Sequence, residues 1–162
     1  MPLLLRAIRK SRWNKDNFPW LTQGDIQADL LGDLVTSNNA LSVWLVQDDK
    51  SNLNEVITAL ASNRNTISNL DYTIFDISLL ENINIRLEVN EGNTPHHKAN
   101  RWHRDLIELT ANKIVNLAES LLINSCIERV LEKKILNLIK DAVANGQIDK
   151  GKLNSGINNK VS

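Results

Sequence analysis

The pattern of apolar residues in three short segments constrains the fold most. Residues 40–46 are almost entirely apolar and are bounded by polar residues, and residues 71–76 are rich in β-branched and aromatic side chains. Residues 83–89 alternate strictly between apolar and polar side chains, which is typical of a strand with one face in water. Elsewhere, apolar residues recur every three or four positions, as in amphipathic helices. We therefore predict an α+β protein with a small three-stranded sheet covered by helices.

A pair of long helices is predicted towards the C-terminus. Thr94 is a good N-cap and Pro95 suits the first helical position, so the first helix is expected to run from there to about residue 124. The second is expected from about residue 125 to 145 and to end at Gly146. Shorter helices are predicted for residues 25–35 and 51–64, where leucine, isoleucine and valine repeat at helical spacing.

The chain is predicted to be one domain with short additions at both ends. A length of 162 residues is enough for one hydrophobic core. We assign residues 21–153 to a single α+β domain and residues 1–20 to a basic, aromatic N-terminal arm packed on it. Residues 154–162, rich in Asn, Gly, Ser and Lys, are expected to form a frayed tail.

Cysteine use and the start of the chain favour a cytoplasmic protein, and we expect a bacterial one. The single cysteine, Cys126, excludes an internal disulfide and fits a reducing compartment. The apolar run at residues 3–5 precedes the first charged residues, which is the reverse of a signal peptide. No apolar run approaches the roughly 20 residues that a membrane span requires.

Charge is distributed unevenly along a chain whose net charge is zero. Residues 1–20 carry five basic and one acidic side chain, residues 21–94 carry three basic and eleven acidic, and residues 95–162 carry eleven basic and seven acidic. This segregation allows an acidic and a basic surface on one small body. It is equally compatible with charges that complement each other inside the folded protein.

All three histidines fall between residues 94 and 103. On the predicted helix, His103 lies near the middle of the apolar face and His96 lies two turns before it, whereas His97 points away. A histidine on an apolar face is most often a hydrogen-bonded core or interface residue. His96 and His103 lack the spacing that lets one helix chelate a metal, and the sequence contains no complete metal-binding motif, so no metal or cofactor is predicted.

Carboxylates that follow two of the predicted strands provide a catalytic alternative. Asp48 and Asp49 follow the strand at 40–46, and Asp76 ends the strand at 71–76. Carboxylates at strand ends can hold a metal, and His103 with His96 could act beside them as a general base. The alternative is therefore a small metal-dependent hydrolase or phosphotransfer protein. No nucleophile motif or phosphate-binding glycine loop accompanies these residues, so a non-enzyme is favoured.

The preferred hypothesis is a non-catalytic component that binds another protein, as an accessory, regulatory or antidote subunit of a multi-protein system. Trp13, Phe18 and Trp20 are dense aromatic residues in one irregular segment, and such residues either pin a loop to the core or contact a partner. Further predicted contacts are Arg101 and Arg104. The partner is expected to be a different protein or a second copy of the chain, with no membrane contact.

Nucleic-acid binding is the second alternative. The basic residues before Trp13 could grip phosphates while the aromatic ring stacks on a base. The candidate residues are Arg6, Arg9, Lys10 and Arg12. They are few, and no recognised nucleic-acid-binding motif accompanies them.

Overall fold

The computed structural model describes residues 1–161 and contains a six-stranded antiparallel sheet. The strands are β1 (Leu3–Ile8), β2 (Leu41–Val46), β3 (Leu70–Asp76), β4 (Arg86–Val89), β5 (His103–Ile107) and β6 (Cys126–Val130). They are arranged in the order β4-β5-β2-β1-β3-β6. The prediction of an α+β protein is correct, but the predicted three-stranded sheet is wrong because β1, β5 and β6 also belong to the sheet.

The first strand lies in the centre of the sheet. β1 pairs with β2 on one side and with β3 on the other. Leu4 and Leu5 point to opposite faces and both are fully buried, because helices cover the sheet on both sides. A strand buried on both faces has a continuous apolar run instead of an alternating pattern. The predicted arm at residues 1–20 therefore begins with a strand of the sheet itself.

Helices pack on both faces of the sheet. The α-helices are α1 (Lys10–Trp13), α2 (Leu53–Ser62), α3 (Ser78–Asn82), α4 (Ala111–Asn124), α5 (Glu132–Ala144) and α6 (Ser155–Val161). Short 3-10 helices occupy Lys15–Asn17, Ala28–Asp33, Ala99–Trp102 and Lys150–Lys152. One core lies under α2, α5 and α6 and the other under α4, and we call these two sides of the sheet the α2 face and the α4 face. No helix within residues 1–161 combines the length and the apolar character needed to cross a membrane.

The predicted pair of long helices is also wrong. Residues 94–107 form turns, a 3-10 helix and β5, and α4 begins only after its N-cap, Thr110. The Asn100 side chain accepts hydrogen bonds from the backbone and hydroxyl of Thr94 and donates one to the Thr94 carbonyl, which holds a turn where a helix was expected. Residues 126–130 form β6, so the last long helix, α5, starts at Glu132.

The C-terminal residues predicted to be frayed form α6 instead. Ile157 and Val161 are one helical turn apart and both are buried in the core of the α2 face. A Cβ atom at Gly156 would lie only 2.5 Å from the carbonyl oxygen of Asn65, so glycine allows this close approach. Ser162, the last residue of the predicted tail, lies outside the described residues.

Candidate functional site

The three carboxylates predicted to hold a metal each have a hydrogen-bond partner within the chain. Asp48 pairs with the amino group of Met1 at 2.5 Å. The carboxylates of Asp49 and Asp76 accept the backbone N–H groups of Ser51 and Ser78, respectively, and these hydrogen bonds lower the pKa of both carboxyl groups. Such contacts are typical of the turns that follow strands.

His96 is buried, with only 1% of its surface exposed. Its Nδ1 accepts the backbone N–H of Ala99 at 3.2 Å, so this nitrogen carries no proton. Burial lowers the pKa of His96 and thereby favours the neutral ring, although the nearby Glu55 carboxylate acts in the opposite direction. These contacts agree with a satisfied core histidine, one of the roles expected for this cluster.

His103 lies in β5, opposite Trp44 of β2, and its ring meets the Trp44 ring edge-on at 5.2 Å. Its Nδ1 is 2.7 Å from the carbonyl oxygen of Asn90, and because a carbonyl only accepts, this nitrogen carries a proton. Its Nε2 is 3.8 Å from the carboxylate of Asp105. The acidic neighbour of His103 is thus in its own strand and is not one of the predicted carboxylates Asp48, Asp49 and Asp76.

Within residues 1–161, no three His, Cys, Asp or Glu side chains converge as a metal site would require.

Trp13, predicted to contact a partner, is a core residue. Only 4% of its surface is exposed, and its indole Nε1 donates to the Asp33 carboxylate at 2.9 Å. The same carboxylate accepts the backbone N–H of Arg9 and pairs with the Arg12 guanidinium at 2.9 Å. Asp33 is itself buried. This group of contacts fixes α1 onto the 3-10 helix Ala28–Asp33.

Phe18 and Trp20 lie in the loop that follows Trp13, and Trp20 is 69% exposed. The two rings meet edge-on, with centroids 6.2 Å apart. A cleft of about 480 Å³ lies within residues 15–24. An adjoining cleft of about 280 Å³ separates this segment and Ile26 from the C-terminal half of α4. We define the aromatic loop surface as Phe18, Trp20, Leu21, Ile26, Leu122 and Ile123. Ile123 of α4 is 77% exposed and lines the same cleft as Ile26.

The two other predicted partner contacts, Arg101 and Arg104, interact with nearby groups of the same chain. Arg101 lies over the ring of Trp102 and 3.8 Å from the Glu55 carboxylate. Arg104 donates to the backbone carbonyls of Arg101 and His103.

The four candidate residues for nucleic-acid binding have different environments. Arg12 is paired with Asp33. Arg6 donates to the backbone carbonyls of Asp33 and Ser42. The side chains of Arg9 and Lys10 are exposed. The basic surface expected from the four residues is therefore reduced to two of them.

A polar cleft that the sequence did not predict lies on the α2 face beside His103. Its volume is about 310 Å³, and it lies between β1, β2, the end of α2 and the loop after β4. Its polar lining residues are Arg6, Ser42, Asn63, Asn93, Thr94 and His103. We call it the Arg6 cleft. The one available signal was Ser42, a polar residue within the apolar run at residues 40–46.

Arg6 occupies the gap that opens between β1 and β2 beyond the last paired residues, Leu5 and Trp44. Its Nη1 donates to the carbonyl of Ser42 at 2.8 Å, and its Nε and Nη2 donate to the carbonyl of Asp33 at 3.1 and 2.9 Å. Burial lowers the pKa of Arg6, but an arginine side chain remains a cation in proteins.

The loop after β4 forms one wall of the cleft because Gly92 lets it approach the sheet. A Cβ atom at Gly92 would lie 3.1 Å from the Cβ of His103 and 3.2 Å from the ring of Trp44. The backbone N–H of Gly92 donates to the carbonyl of Asn100, which fixes the loop in this position.

No family model matches the sequence, and neither a curated protein nor a solved structure is significantly similar to the chain.

Proposed function

We propose that this protein is a non-catalytic component that binds a different protein through the aromatic loop surface. The observation that carries the proposal is the 69% exposure of Trp20, whose ring meets that of Phe18, in a loop that adjoins the cleft lined by the exposed Ile123. Large apolar side chains that are exposed next to one another mark interaction sites more often than isolated ones do. Tryptophan is also the residue most enriched among those that dominate binding energy.

The environment of Trp13 supports this assignment by contrast. Trp13 has a hydrogen-bond partner and is covered by the domain, so packing explains its presence. Burial within the chain does not explain Trp20, whose surface is mostly in water. A partner that covers the ring would remove this apolar surface from water, which is a favourable contribution to association.

The size of the surface favours a separate partner over a second copy of the chain. Obligate homodimers bury large and strongly apolar interfaces, whereas non-obligate complexes form through smaller patches with a few dominant side chains. The aromatic loop surface consists of a loop and one end of α4, and Lys15 and Glu119 line the cleft between them. An apolar centre with charged residues around it is typical of a non-obligate interface.

Native mass spectrometry of untagged protein from its source cells tests the proposal. We expect a complex with a second polypeptide, which Trp20→Ala weakens by about 2 kcal/mol or more, as at other interface hot spots. The matched control is Val89→Ala, since Val89 is 75% exposed but lies in β4, outside the aromatic loop surface.

Retention of the complex by Trp20→Ala would contradict the proposed surface. A doubled mass of the chain alone would contradict the proposal of a different partner. A complex that dissociates on nuclease treatment would instead indicate nucleic-acid binding.

A further inference from the structure

We propose that the Arg6 cleft binds a small molecule through an anionic group, a carboxylate or a phosphate, held by the Arg6 guanidinium. This site lies on the α2 face and is independent of the aromatic loop surface. Its volume of about 310 Å³ is at the lower end of the range for small-molecule sites, so the ligand is a small metabolite.

The charge of Arg6 is not neutralised by an ion pair within the described chain. The two groups that accept hydrogen bonds from the guanidinium are neutral backbone carbonyls, those of Asp33 and Ser42. The nearby Asp33 carboxylate is already paired with Arg12 and accepts the indole N–H of Trp13. A cation that is partly removed from water and has no ion-pair partner of its own gains most from an anion that enters the adjoining cleft.

The guanidinium is also held in a fixed orientation. An arginine carries five N–H donors, and the contacts with the two carbonyls use one from each of its three nitrogens. The remaining donors belong to Nη1 and Nη2, the pair that recognises carboxylate or phosphate oxygens side by side. Because the backbone fixes the group, little side-chain entropy is lost when an anion binds.

Asparagine side chains at the rim supply further donors. Asn63 at the end of α2 and Asn93 in the loop after β4 are exposed and line the cleft from different sides. Each amide offers two N–H donors and one acceptor. They are placed to bind oxygens of the ligand that Arg6 does not reach.

The opposite end of the cleft has acceptor character and determines which other group the ligand carries. Nδ1 of His103 donates to Asn90, so in the neutral form of the ring Nε2 is an acceptor. The Asp105 carboxylate lies 3.8 Å from Nε2 and accepts hydrogen bonds from the Asn90 amide and the Ser42 hydroxyl. The geometry therefore points to a ligand with its anionic group at Arg6 and a hydroxyl or amino group towards His103.

NMR titration of the full chain tests this site, with inorganic phosphate, acetate and glycolate as separate probes. We expect saturable shifts of the Trp44 indole and of the Asn63 and Asn93 side-chain amides. Glycolate is expected to bind more tightly than acetate, because it adds the hydroxyl group that His103 can accept. Comparison of phosphate with acetate shows which anion the guanidinium prefers.

Arg6→Gln is expected to weaken binding of the preferred probe at least about tenfold, because hydrogen bonds to a charged group are lost. The matched control is Arg86→Gln, since Arg86 is an exposed arginine in β4 that pairs with Glu108 outside the cleft. Trp20→Ala should also leave this binding unchanged, which separates the site from the proposed function.

Absence of saturable shifts, or equal binding by Arg6→Gln and Arg86→Gln, would overturn the proposal. If Arg6→Gln does not fold, the double variant Asn63→Ala, Asn93→Ala decides, because both side chains are exposed. Weaker binding by the double variant would support the site, and unchanged affinity would overturn it.

Discussion

Trp13 and Trp20 lie close together in the sequence but have opposite environments. Trp13 is 4% exposed and donates to a buried carboxylate, whereas Trp20 is 69% exposed and contacts Phe18. The difference arises from Asp33. Its carboxylate accepts hydrogen bonds from Arg9 and Arg12, which hold α1 on the core, whereas the loop that follows lies outside the core. The comparison shows that one aromatic segment can both anchor a fold and present a surface.

The largest effect is expected from substitution of Asp33, which accepts the hydrogen bonds that hold α1 and Trp13 in place. Asp33→Asn replaces a carboxylate that accepts from Arg9, Arg12 and Trp13 by a group with one acceptor oxygen. Removing one partner of a buried ion pair costs about 3–5 kcal/mol, so we expect a loss of that order in the free energy of unfolding. Urea denaturation measures it.

Asp29→Asn is the matched control for this measurement. Asp29 lies in the same 3-10 helix but its side chain is exposed, so a change within about 0.5 kcal/mol is expected. If Asp33→Asn lowers the free energy of unfolding no more than Asp29→Asn does, Asp33 does not hold α1 in place.

A smaller effect is expected when only the donor of Trp13 is removed. Trp13→Phe keeps an aromatic ring in the core but removes the N–H that reaches Asp33, which should cost about 1–3 kcal/mol. Trp20→Phe should change the unfolding free energy by less than about 0.5 kcal/mol, because the ring is mostly in water. Thermal unfolding of both variants side by side checks the difference, and equal losses would mean that Trp20 is part of the core.

The smallest effect is expected at Asp71, the second carboxylate that holds α1, and it depends on pH. Asp71 pairs with Arg129 through two hydrogen bonds and accepts the backbone N–H of Lys10, and these contacts lower its pKa below 3.8. A lowered pKa stabilises the fold above pH 3.8, and this contribution is lost as the pH falls through the lowered value.

Asp71→Asn should therefore be less stable than the unmodified protein at neutral pH, and the difference should shrink in acid. Denaturation midpoints measured across this pH range test the linkage. A difference that stays constant down to the lowest pH would contradict it.

Elements with strong local patterns were predicted well. β2, β3 and α2 lie where the apolar runs and the helical spacing placed them, within a few residues. β1 was missed because Leu4 and Leu5 are both buried, so the strand has no alternation to distinguish it from a helix.

β5 and β6 were missed because their apolar residues also fit a helical period. The deciding interactions for β5 come from the Thr94 and Asn100 side chains and from pairing with β2 and β4. β6 is held at the sheet edge by β3, whose residues are far away in the sequence. Tertiary pairing of this kind overrides local propensity.

The candidate sites were predictable only in part. The sequence singled out Phe18 and Trp20 correctly as aromatic residues outside a regular element, but it could not distinguish them from Trp13. The partner that distinguishes them, Asp33, is 20 residues further along the chain. The Arg6 cleft was not predictable, because Arg6, Ser42, Asn93 and His103 meet only after the sheet has formed.

Fluorine NMR of the protein labelled with 5-fluorotryptophan tests the central claim most directly. The four tryptophans give one resonance each, and the titrant is the polypeptide found in the native complex. We predict that binding shifts the Trp20 resonance and protects it from solvent, while the Trp13 resonance stays in place. A bound complex in which Trp20 remains exposed to solvent and unshifted would contradict the proposed interface.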